Sequence, residues 1–410
     1  MDATSAGDTA FVIVAAALVM LMTPGLALFY AGMVRSRNVL GTIMQSFFTV
    51  GLVSVLWAVA GYSLTFGEDV GGVIGSLNWV GLAGVGVEPF DVYSSTVSHV
   101  AFMVFQMMFA VITPALITGA IAERMKFKAF VAFTALWSLL VYSPVAHWVW
   151  GAGGWIRQLG TLDFAGGTVV HVNAAAASLA AVLVVGRRCD VGSRALLPHN
   201  VPMTVLGAAL LWFGWFGFNA GSALSAGALA ANAFATTHLA AAAAVLSWVV
   251  IEWRHRAKPT TLGAACACVA GLVAITPAAG FVEPIASIAI GSLAGGLCYG
   301  GVLLKRRFGY DDSLDVVGIH GVGGITGAIA TGIFATTAVN AAGANGLLYG
   351  NPGQLGAQAI AVLATAVYSF VASFVLLRLV DAAVGLRVSE DEELMGLDLS
   401  QHSEAGYAFQ

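Results

Sequence analysis

Charged side chains are scarce in this sequence. Only 9% of the residues are Asp, Glu, Lys or Arg, whereas soluble domains carry roughly 25%. Hydrophobic residues make up 59% of the chain. So few charges would leave a water-facing surface largely apolar, which excludes a soluble globular domain. The sequence therefore predicts an all-α polytopic membrane protein.

Patterns typical of nucleotide-dependent enzymes, metalloproteases and disulfide-linked domains are also missing. No GxxxxGK(S/T) or HExxH pattern occurs, and pairs such as Gly217/Gly221 are typical of close helix packing. The cysteines lie in predicted spans or at a span end, where they are expected to act as small apolar residues. They are Cys189, Cys266, Cys268 and Cys298. We expect no cofactor, no metal ion and no nucleic-acid partner.

Long apolar segments are abundant instead. Eleven stretches reach the roughly 20 residues that a helix needs to cross a bilayer. They lie near residues 9–34, 40–66, 98–122, 127–151, 167–186, 200–222, 232–253, 261–279, 284–304, 317–338 and 356–384. The predicted fold is therefore eleven transmembrane helices in one membrane domain over residues 1–388, followed by a polar tail over residues 389–410.

The basic residues predict the orientation of the chain. All 17 except Arg157 fall on one side of an eleven-span topology. The clusters are Arg35/Arg37, Arg124/Lys126/Lys128, Arg187/Arg188/Arg194, Arg254/Arg256/Lys258, Lys305/Arg306/Arg307 and Arg378/Arg387. Since cytoplasmic loops carry the excess of Lys and Arg, we predict a cell-membrane protein with its N-terminus outside and its C-terminus in the cytoplasm. The first ten residues contain no base, so the first span is predicted to be retained and not cleaved.

Two histidines, His171 and His320, lie inside apolar spans that contain no charged residue. An ionisable group at membrane depth is costly, so its usual place is on a substrate, ion or proton path. The fifth and tenth spans carry them, and five is odd, so the second half of the chain enters the membrane in the opposite sense. This predicts an inverted repeat, over about 9–187 and about 200–338, that brings the two histidines together near the midplane. The eleventh span, 356–384, has no counterpart and is predicted to pack along the outside.

The segment DFAGGTVVHVNAAAASLAAVLVVGRR, from Asp163 to Arg188, resembles the signature of the ammonium transporter family (Amt, related to Mep and Rh proteins). Further segments match in family order: TPGLALFYAGMVRSRN, FQMMFA, PVAHWVWG, PHNVP, GWFGFNAGS, ITPAAGF, DVVGIHGVGG and the tail GLRVSEDEELMGLDLSQHSEAGY. The resemblance covers nearly the whole chain. It implies a homotrimer in the lipid bilayer, with one narrow pore per subunit that conducts ammonium-derived nitrogen inward.

The resemblance also implies the roles of individual residues. The matching positions are Phe109 and Phe218 as a stacked gate, Phe109, Trp150 and Ser222 as an outer ammonium site, His171 and His320 as pore histidines, and Leu26 and Val316 as apolar pore lining. Asp163 precedes the fifth span, and we expect it to act as an N-cap that shapes the outer site more than as a direct ligand.

Each of these residues also has a plainer interpretation. The aromatic residues are equally compatible with ordinary packing, and the Ser222 hydroxyl could bond back to a helical carbonyl. Five other histidines are predicted near span ends or in loops, where water or one hydrogen bond suffices: His99, His147, His199, His238 and His255. His171 and His320 resist such an interpretation because both are deep and related by the repeat.

Ammonium and potassium ions have nearly the same size, so a cavity of fixed radius does not separate them. A serine hydroxyl favours an N–H donor, and an apolar pore favours a substrate that can lose its charge. Ammonium can cross as ammonia, and histidines can pass the released proton. We therefore expect recruitment, deprotonation and conduction of ammonia. The sequence leaves open whether uptake is electrogenic or is net ammonia conduction.

Two other classes of function remain open. The first is an ammonium sensor, which would usually carry an added signalling domain, whereas this chain ends about 25 residues after its last span. The second is a membrane enzyme that uses His171 and His320, but no carboxylate or nucleophile accompanies them within the spans. We expect a transporter and no enzyme. The family resemblance of the acidic tail implies a structured element that helps to receive a PII-type signalling protein.

Overall fold

The computed structural model describes residues 4–192 and 196–408, without the side chain of Arg306. Arg194 and the Arg306 side chain, both counted in the predicted basic clusters, lie outside the described residues. The helices of the membrane domain are α1 (Ala6–Met33), α2 (Ser36–Phe66), α3 (His99–Ile121), α4 (Phe127–Gln158), α5 (Gly167–Val185), α6 (Val201–Gly221), α7 (Ala228–Arg256), α8 (Thr261–Ile275), α9 (Pro284–Phe308), α10 (Val317–Phe334) and α11 (Pro352–Val384). Two short helices follow, α12 (Glu390–Met395) and α13 (Leu397–His402).

Small hairpins occupy the connection between α2 and α3. Strand β1 (Asp69–Val70) pairs antiparallel with β2 (Ile74–Gly75), and β3 (Pro89–Phe90) pairs antiparallel with β4 (Ser94–Ser98). Single helical turns lie at Val80–Leu82 and Leu347–Tyr349. Because these strands are so short, the described chain is essentially all helical, which confirms the predicted fold class.

Ten of the described helices are long and apolar enough to cross a bilayer. The exception is α8, which covers the span predicted over 261–279 but ends at Ile275. A helix of this length rises only about 22 Å, less than the roughly 30 Å of a hydrocarbon core. Pro277 explains the end of α8, because a proline has no backbone N–H to donate to the carbonyl four residues earlier. Turns continue the chain through Gly280.

The packing of the helices repeats itself between the two halves of the chain. Helix α1 packs most extensively against α6, its expected counterpart. The contacts α1–α3, α2–α4 and α3–α5 recur as α6–α8, α7–α9 and α8–α10. This matching set of contacts supports the five-plus-five arrangement. The boundaries given for the two repeats stay a prediction.

Small residues allow the central helices to approach closely. A Cβ atom placed on Gly207 of α6 would lie 2.2 Å from the backbone nitrogen of Phe29 in α1. Any side chain there would therefore force the two helices apart. In a bilayer, such close packing replaces the hydrophobic effect as the force that joins helices.

Two of the central helices begin with π-helical turns, in which the backbone hydrogen bonds skip one more residue than in an α-helix. These turns are Gly167–Val172 in α5 and Val317–Gly321 in α10. They contain His171 and His320, respectively. Wide turns of this kind are frequent at functional sites, because they re-aim side chains that a regular helix would point elsewhere.

Helix α11 lies along the outside of the bundle and contacts α4, α5 and α10. Its outward face is apolar and exposed, for example at Leu363 and Leu379. Its inward face carries a row of buried polar residues among apolar ones.

Candidate functional site: two cavities joined at a histidine pair

A cavity of about 450 Å³, here called the aromatic cavity, lies beside the first half of α3. Phe109, Trp150 and Ser222 all line it, although they come from α3, α4 and the residue after α6. The fold thus gathers the three predicted members of the outer site around one space. Arg157 also lines this cavity. It is the one basic residue that the topology places on the opposite side of the membrane from the other sixteen.

Two phenylalanines in contact, with their ring planes tilted by 31°, form the floor of the aromatic cavity. The ring centroids of Phe109 and Phe218 are 4.2 Å apart, and both side chains are buried. Phe109 lines the aromatic cavity, whereas Phe218 lines a narrower cavity beyond it. Trp150 meets Phe109 edge-on, with its centroid 5.8 Å away. The phenylalanine pair therefore separates two spaces that would have to join for a substrate to pass.

The Ser222 hydroxyl donates to the backbone carbonyl of Phe218 at 2.9 Å. This is the back-bond that the plainer interpretation expects. A hydroxyl has one proton to donate and two lone pairs that accept. Because its proton is already committed, Ser222 can offer only acceptor lone pairs to the aromatic cavity. That chemistry suits a ligand that donates an N–H.

Asp163 uses both carboxylate oxygens to hold the start of α5. One oxygen accepts from the backbone nitrogens of Gly166 and Gly167 at 2.8 and 2.7 Å. The other accepts from the backbone nitrogen and the hydroxyl of Thr168 at 2.8 and 2.5 Å. The backbone carbonyl of Asp163 accepts from Trp150 Nε1 at 3.0 Å. Asp163 thus caps the helix that carries His171 and also orients the tryptophan of the aromatic cavity.

Beyond the phenylalanines, His171 and His320 face each other. Their Nδ1 atoms are 3.3 Å apart and their ring centroids 5.3 Å apart. In a hydrogen bond between two imidazoles, one Nδ1 must donate and the other must accept. A neutral pair therefore presents one Nε2 as an acceptor and the other as an N–H donor. Among the described residues, His171 Nε2 has no partner.

The space beside the two rings, here called the histidine cavity, measures about 10 Å³. That is about enough for one molecule the size of water. Apart from the histidines, its lining is apolar or aromatic: Met22, Leu26, Ile112, Leu116, Val170, Leu211, Trp215, Phe218 and Val269. Leu26, one of the two residues expected as apolar lining, lies at this cavity. Val316 is buried but is not among the residues that line it.

Val316 directly precedes the π turn of α10 and lies against α3. A Cβ atom on Gly119 would come within 2.8 Å of a Val316 methyl group and 2.6 Å of the Tyr30 ring. Val316 therefore packs beyond the histidines, towards the opposite end of the bundle from the aromatic cavity.

Sequence reasoning missed one acidic residue, Asp312. It precedes His320 by the same eight positions by which Asp163 precedes His171. One of its oxygens accepts from the backbone nitrogen of Val317 at 2.7 Å, at the start of the π turn. Burial raises the pKa of Asp312 to about 6, although Lys305 opposes this shift. The repeated spacing was a usable signal, because a cap at each histidine-bearing helix is what an inverted repeat requires.

A second large space, here called the basic cavity, lies at the other end of the bundle and measures about 710 Å³. Several residues that line the basic cavity form buried ion pairs with one another. Glu123 contacts Arg35 at 2.9 Å and Arg188 at 2.7 Å, and Arg188 contacts Asp311 at 2.8 Å. Burial alone would raise the pKa of Glu123, but Arg188 and Arg35 outweigh it and hold that pKa at about 2. These pairs tie four interhelical connections together at this mouth.

Four of the other histidines bond polar groups near the ends of the bundle, as predicted. His99 contacts the Tyr62 hydroxyl at 2.6 Å, His147 contacts Asp69 at 2.9 Å, His199 contacts the Tyr407 hydroxyl at 2.8 Å and His255 contacts the Tyr299 hydroxyl at 2.6 Å. The prediction for His238 was wrong. It lies well inside α7, exposed on the surface of the single chain, with its ring 5.4 Å from Trp212. Its span begins four residues earlier than predicted, which moves His238 deeper into the helix.

Together, the helices and cavities define a polytopic membrane protein in which a pair of phenylalanines separates the aromatic cavity from a small cavity that holds a histidine pair. A profile of the Ammonium Transporter Family matches residues 10–407. The chain belongs to this family.

Individual relatives agree with this assignment. An "Ammonium transporter" from Bacillus subtilis is 55% identical over 402 residues, which cover 98% of both chains. The solved structure of Saccharomyces cerevisiae Mep2 is 37% identical, with a TM-score of 0.89, and the match covers 95% of this chain and 89% of that one. A solved "Sensor Amt Protein" is 31% identical, with a TM-score of 0.89, and the match covers 97% of this chain and 98% of that one.

Proposed function

We propose that this protein takes up ammonium at the aromatic cavity, deprotonates it and conducts ammonia past His171 and His320, while the proton travels separately and makes uptake electrogenic. The observation that carries the proposal is the histidine pair, 3.3 Å apart beside an otherwise apolar cavity of about 10 Å³. The names of the relatives support ammonium as the substrate.

Recruitment relies on Phe109, Trp150 and Ser222. Aromatic faces attract any cation of suitable size, with about 0.5 to 2 kcal/mol of free energy. That attraction concentrates potassium as well as ammonium. Ser222 supplies the discrimination, because its free lone pairs accept an N–H that potassium lacks. Asp163 holds Trp150 in place through its backbone carbonyl.

Phe109 and Phe218 act as the gate, and deprotonation accompanies passage through it. A charged ion in the apolar histidine cavity would have too few polar partners to replace its hydration. Ammonia carries no such penalty and can hydrogen-bond either to the donor or to the acceptor Nε2 of the pair. A proton that enters one imidazole can be released from the other, so the pair serves as the proton path. Leu26 provides apolar lining beside the histidines, and Val316 adds apolar surface further towards the basic cavity.

The test of this proposal is electrical. Protein reconstituted into liposomes on a solid-supported membrane should give an inward positive current after an ammonium pulse and none after a potassium pulse. If ammonium evokes no current although ammonia influx changes the internal pH, the pore conducts ammonia alone and the electrogenic part of the proposal is wrong.

A sensor without significant flux is the second candidate, because the chain is similar along most of its length to the solved "Sensor Amt Protein". Both functions would use the aromatic cavity. They differ in the steady rate of ammonium-driven current, which a sensor would lack while still binding ammonium.

We propose that the basic cavity faces the cytoplasm and the aromatic cavity faces outward, since sixteen of seventeen bases lie on one side of the topology. Glu88 and Lys258 are exposed in connections on opposite sides. In a Cys189→Ser background, Glu88→Cys should react with an impermeant maleimide on intact cells, whereas Lys258→Cys should react only after lysis. Labelling of both positions on intact cells would contradict this orientation.

We propose that three copies assemble in the membrane. His238 supports assembly, because an ionisable side chain exposed at membrane depth is rarely left facing lipid, and a neighbouring copy would cover it. Native mass spectrometry in mild detergent should report a trimer. Monomers alone, in protein that retains ammonium-evoked current, would contradict the assembly.

We propose that a PII-type signalling protein docks on the cytoplasmic side, over the basic cavity and beside the tail of residues 389–410. The support is the family resemblance of the tail, together with its packing across the connections that surround this cavity. Cys189 N–H, for example, donates to Glu393 at 2.8 Å.

A further inference from the structure

Helix α11 carries a buried polar stripe on its inward face. Its members lie at spacings of four or seven residues, which keeps them on one side of the helix. They are Gln354, Gln358, Thr365, Ser369 and Ser373. Polar side chains are costly at membrane depth unless each finds a partner, so the partners indicate what the stripe holds.

Gln358 is the member with the most contacts outside α11. Its Oε1 accepts from Leu162 N–H at 2.7 Å, and its Nε2 donates to the carbonyls of Leu162 at 2.8 Å and Ala328 at 3.0 Å. Gln358 is 1% exposed. The amide thus binds both backbone groups of Leu162 as a neighbouring β-strand would, and uses its remaining donor on α10.

These partners lead directly to the aromatic cavity and the pore. Leu162 is bonded to Asp163, whose carbonyl holds Trp150 Nε1 and whose carboxylate caps the turn that carries His171. Ala328 belongs to α10, the helix of His320. Gln358 therefore joins the segment before α5 to α10, the helix that carries His320.

We infer that Gln358 is a positioning residue for ammonium recruitment. It sets the position of the Leu162–Asp163 segment and, through Asp163, the orientation of Trp150 in the aromatic cavity. The inference rests on the proposed transport function and extends it to the eleventh span, which the inverted repeat leaves without a counterpart. Gln358 touches no substrate and takes no part in proton transfer.

A purely structural role for Gln358 would give a different result from a positioning role. Loss of a buried hydrogen-bonding group lowers stability wherever it lies in the bundle. Ser373 offers a matched control, because it belongs to the same stripe and accepts from Trp137 Nε1 at 3.0 Å, with no contact to the Leu162–Asp163 segment. Only a positioning residue should change how much ammonium is needed for half-maximal current.

The experiment measures current against ammonium concentration, together with thermal unfolding in detergent, for the wild type, Gln358→Met and Ser373→Ala. Methionine keeps the length of the side chain and removes all four of its hydrogen bonds, including the one that Gln354 Nε2 donates to its Oε1 at 3.3 Å. We expect Gln358→Met to raise the half-saturating ammonium concentration about tenfold, which corresponds to about 1.4 kcal/mol of binding free energy. Ser373→Ala should lower the unfolding temperature without changing half-saturation.

Gln358→Glu covers the case in which the methionine variant does not fold. Glutamate keeps the acceptor for Leu162 N–H and the side-chain volume but loses at least one donor. Its half-saturating concentration should lie more than about twofold above that of the wild type and below that of Gln358→Met. The inference is overturned if either folded Gln358 variant keeps half-saturation within about twofold of the wild type, a change of roughly 0.4 kcal/mol. Failure of the proposed function itself would appear differently, as the absence of ammonium current in the wild type.

Discussion

Alanine in place of either His171 or His320 should abolish the ammonium-evoked current or admit potassium. The two rings supply the polar groups of an otherwise apolar cavity, and their Nδ1 atoms are close enough to share a proton. Without one ring, the proton path is cut at a single 3.3 Å contact. The vacated volume also gives room for water, and water in the pore would lower the barrier that excludes a charged ion.

The measurement compares currents from His171→Ala and His320→Ala after separate ammonium and potassium pulses. His255→Ala is the matched control. His255 lies in the last turn of α7, where it contacts the Tyr299 hydroxyl, and it is not among the residues that line the histidine cavity. The control should keep the wild-type currents. If both pore variants give wild-type ammonium current and still exclude potassium, the pair is neither the proton path nor the selectivity element.

The sequence predicts the histidine pair well because its signal is local. One imidazole in an apolar span stands out by itself, and the odd number of spans in each half of the chain predicts that the two histidines face each other. The residues of the proposed gate and of the proposed outer site differ in this respect. Phe109 and Phe218 lie among several aromatic residues, and only the family resemblance singles them out. The 4.2 Å between their ring centroids depends on how α3 and α6 pack, and no local sequence pattern describes that packing.

Other features were harder to predict for identifiable reasons. Helix α8 is short because of Pro277. Hydropathy alone does not show that a proline ends a helix. Gln358 carries no charge, so it does not stand out as an ionisable residue would in an apolar span. Its partner Leu162 also lies 196 positions away in the chain. Asp312 was predictable in principle, because the spacing from aspartate to histidine is the same in both halves. Composition thus gives the class of fold, whereas single polar contacts between distant segments depend on tertiary packing.

Removal of residues 390–410 should lower transport or eliminate control by a PII-type protein. The tail is an ordered element through its described residues. Ser389 and Glu392 form a capping box at the start of α12. Asp398 accepts from Gly41 N–H at 2.8 Å, and Leu397 N–H donates to Asn38 at 2.8 Å. A disordered solubilising tail would make none of these contacts, so the tail is positioned to influence the connections around the basic cavity.

Two carboxylates, those of Glu393 and Asp398, account for much of the contact between the tail and the rest of the protein. Glu393 is fully buried and contacts Arg387 at 2.7 Å as well as Cys189 N–H. Hydrogen bonds to charged groups contribute about 1.5–3 kcal/mol each, so loss of Glu393 alone should release part of the tail. Glu393→Gln and the deletion should therefore act in the same direction, with the deletion stronger. Glu404→Gln, at an exposed position of the same tail, is the control.

The measurement is the ammonium current of each variant, with and without an added PII-type protein, together with direct binding of that protein to the reconstituted transporter. The deletion should reduce the current several-fold or make it insensitive to the added protein, whereas Glu404→Gln should behave as wild type. The contacts of Glu393 and Asp398 join the tail to the α5–α6 connection and to α2, so a released tail would leave both without their partners. Wild-type current and wild-type PII binding in the deletion variant would leave the tail with a solubilising role only.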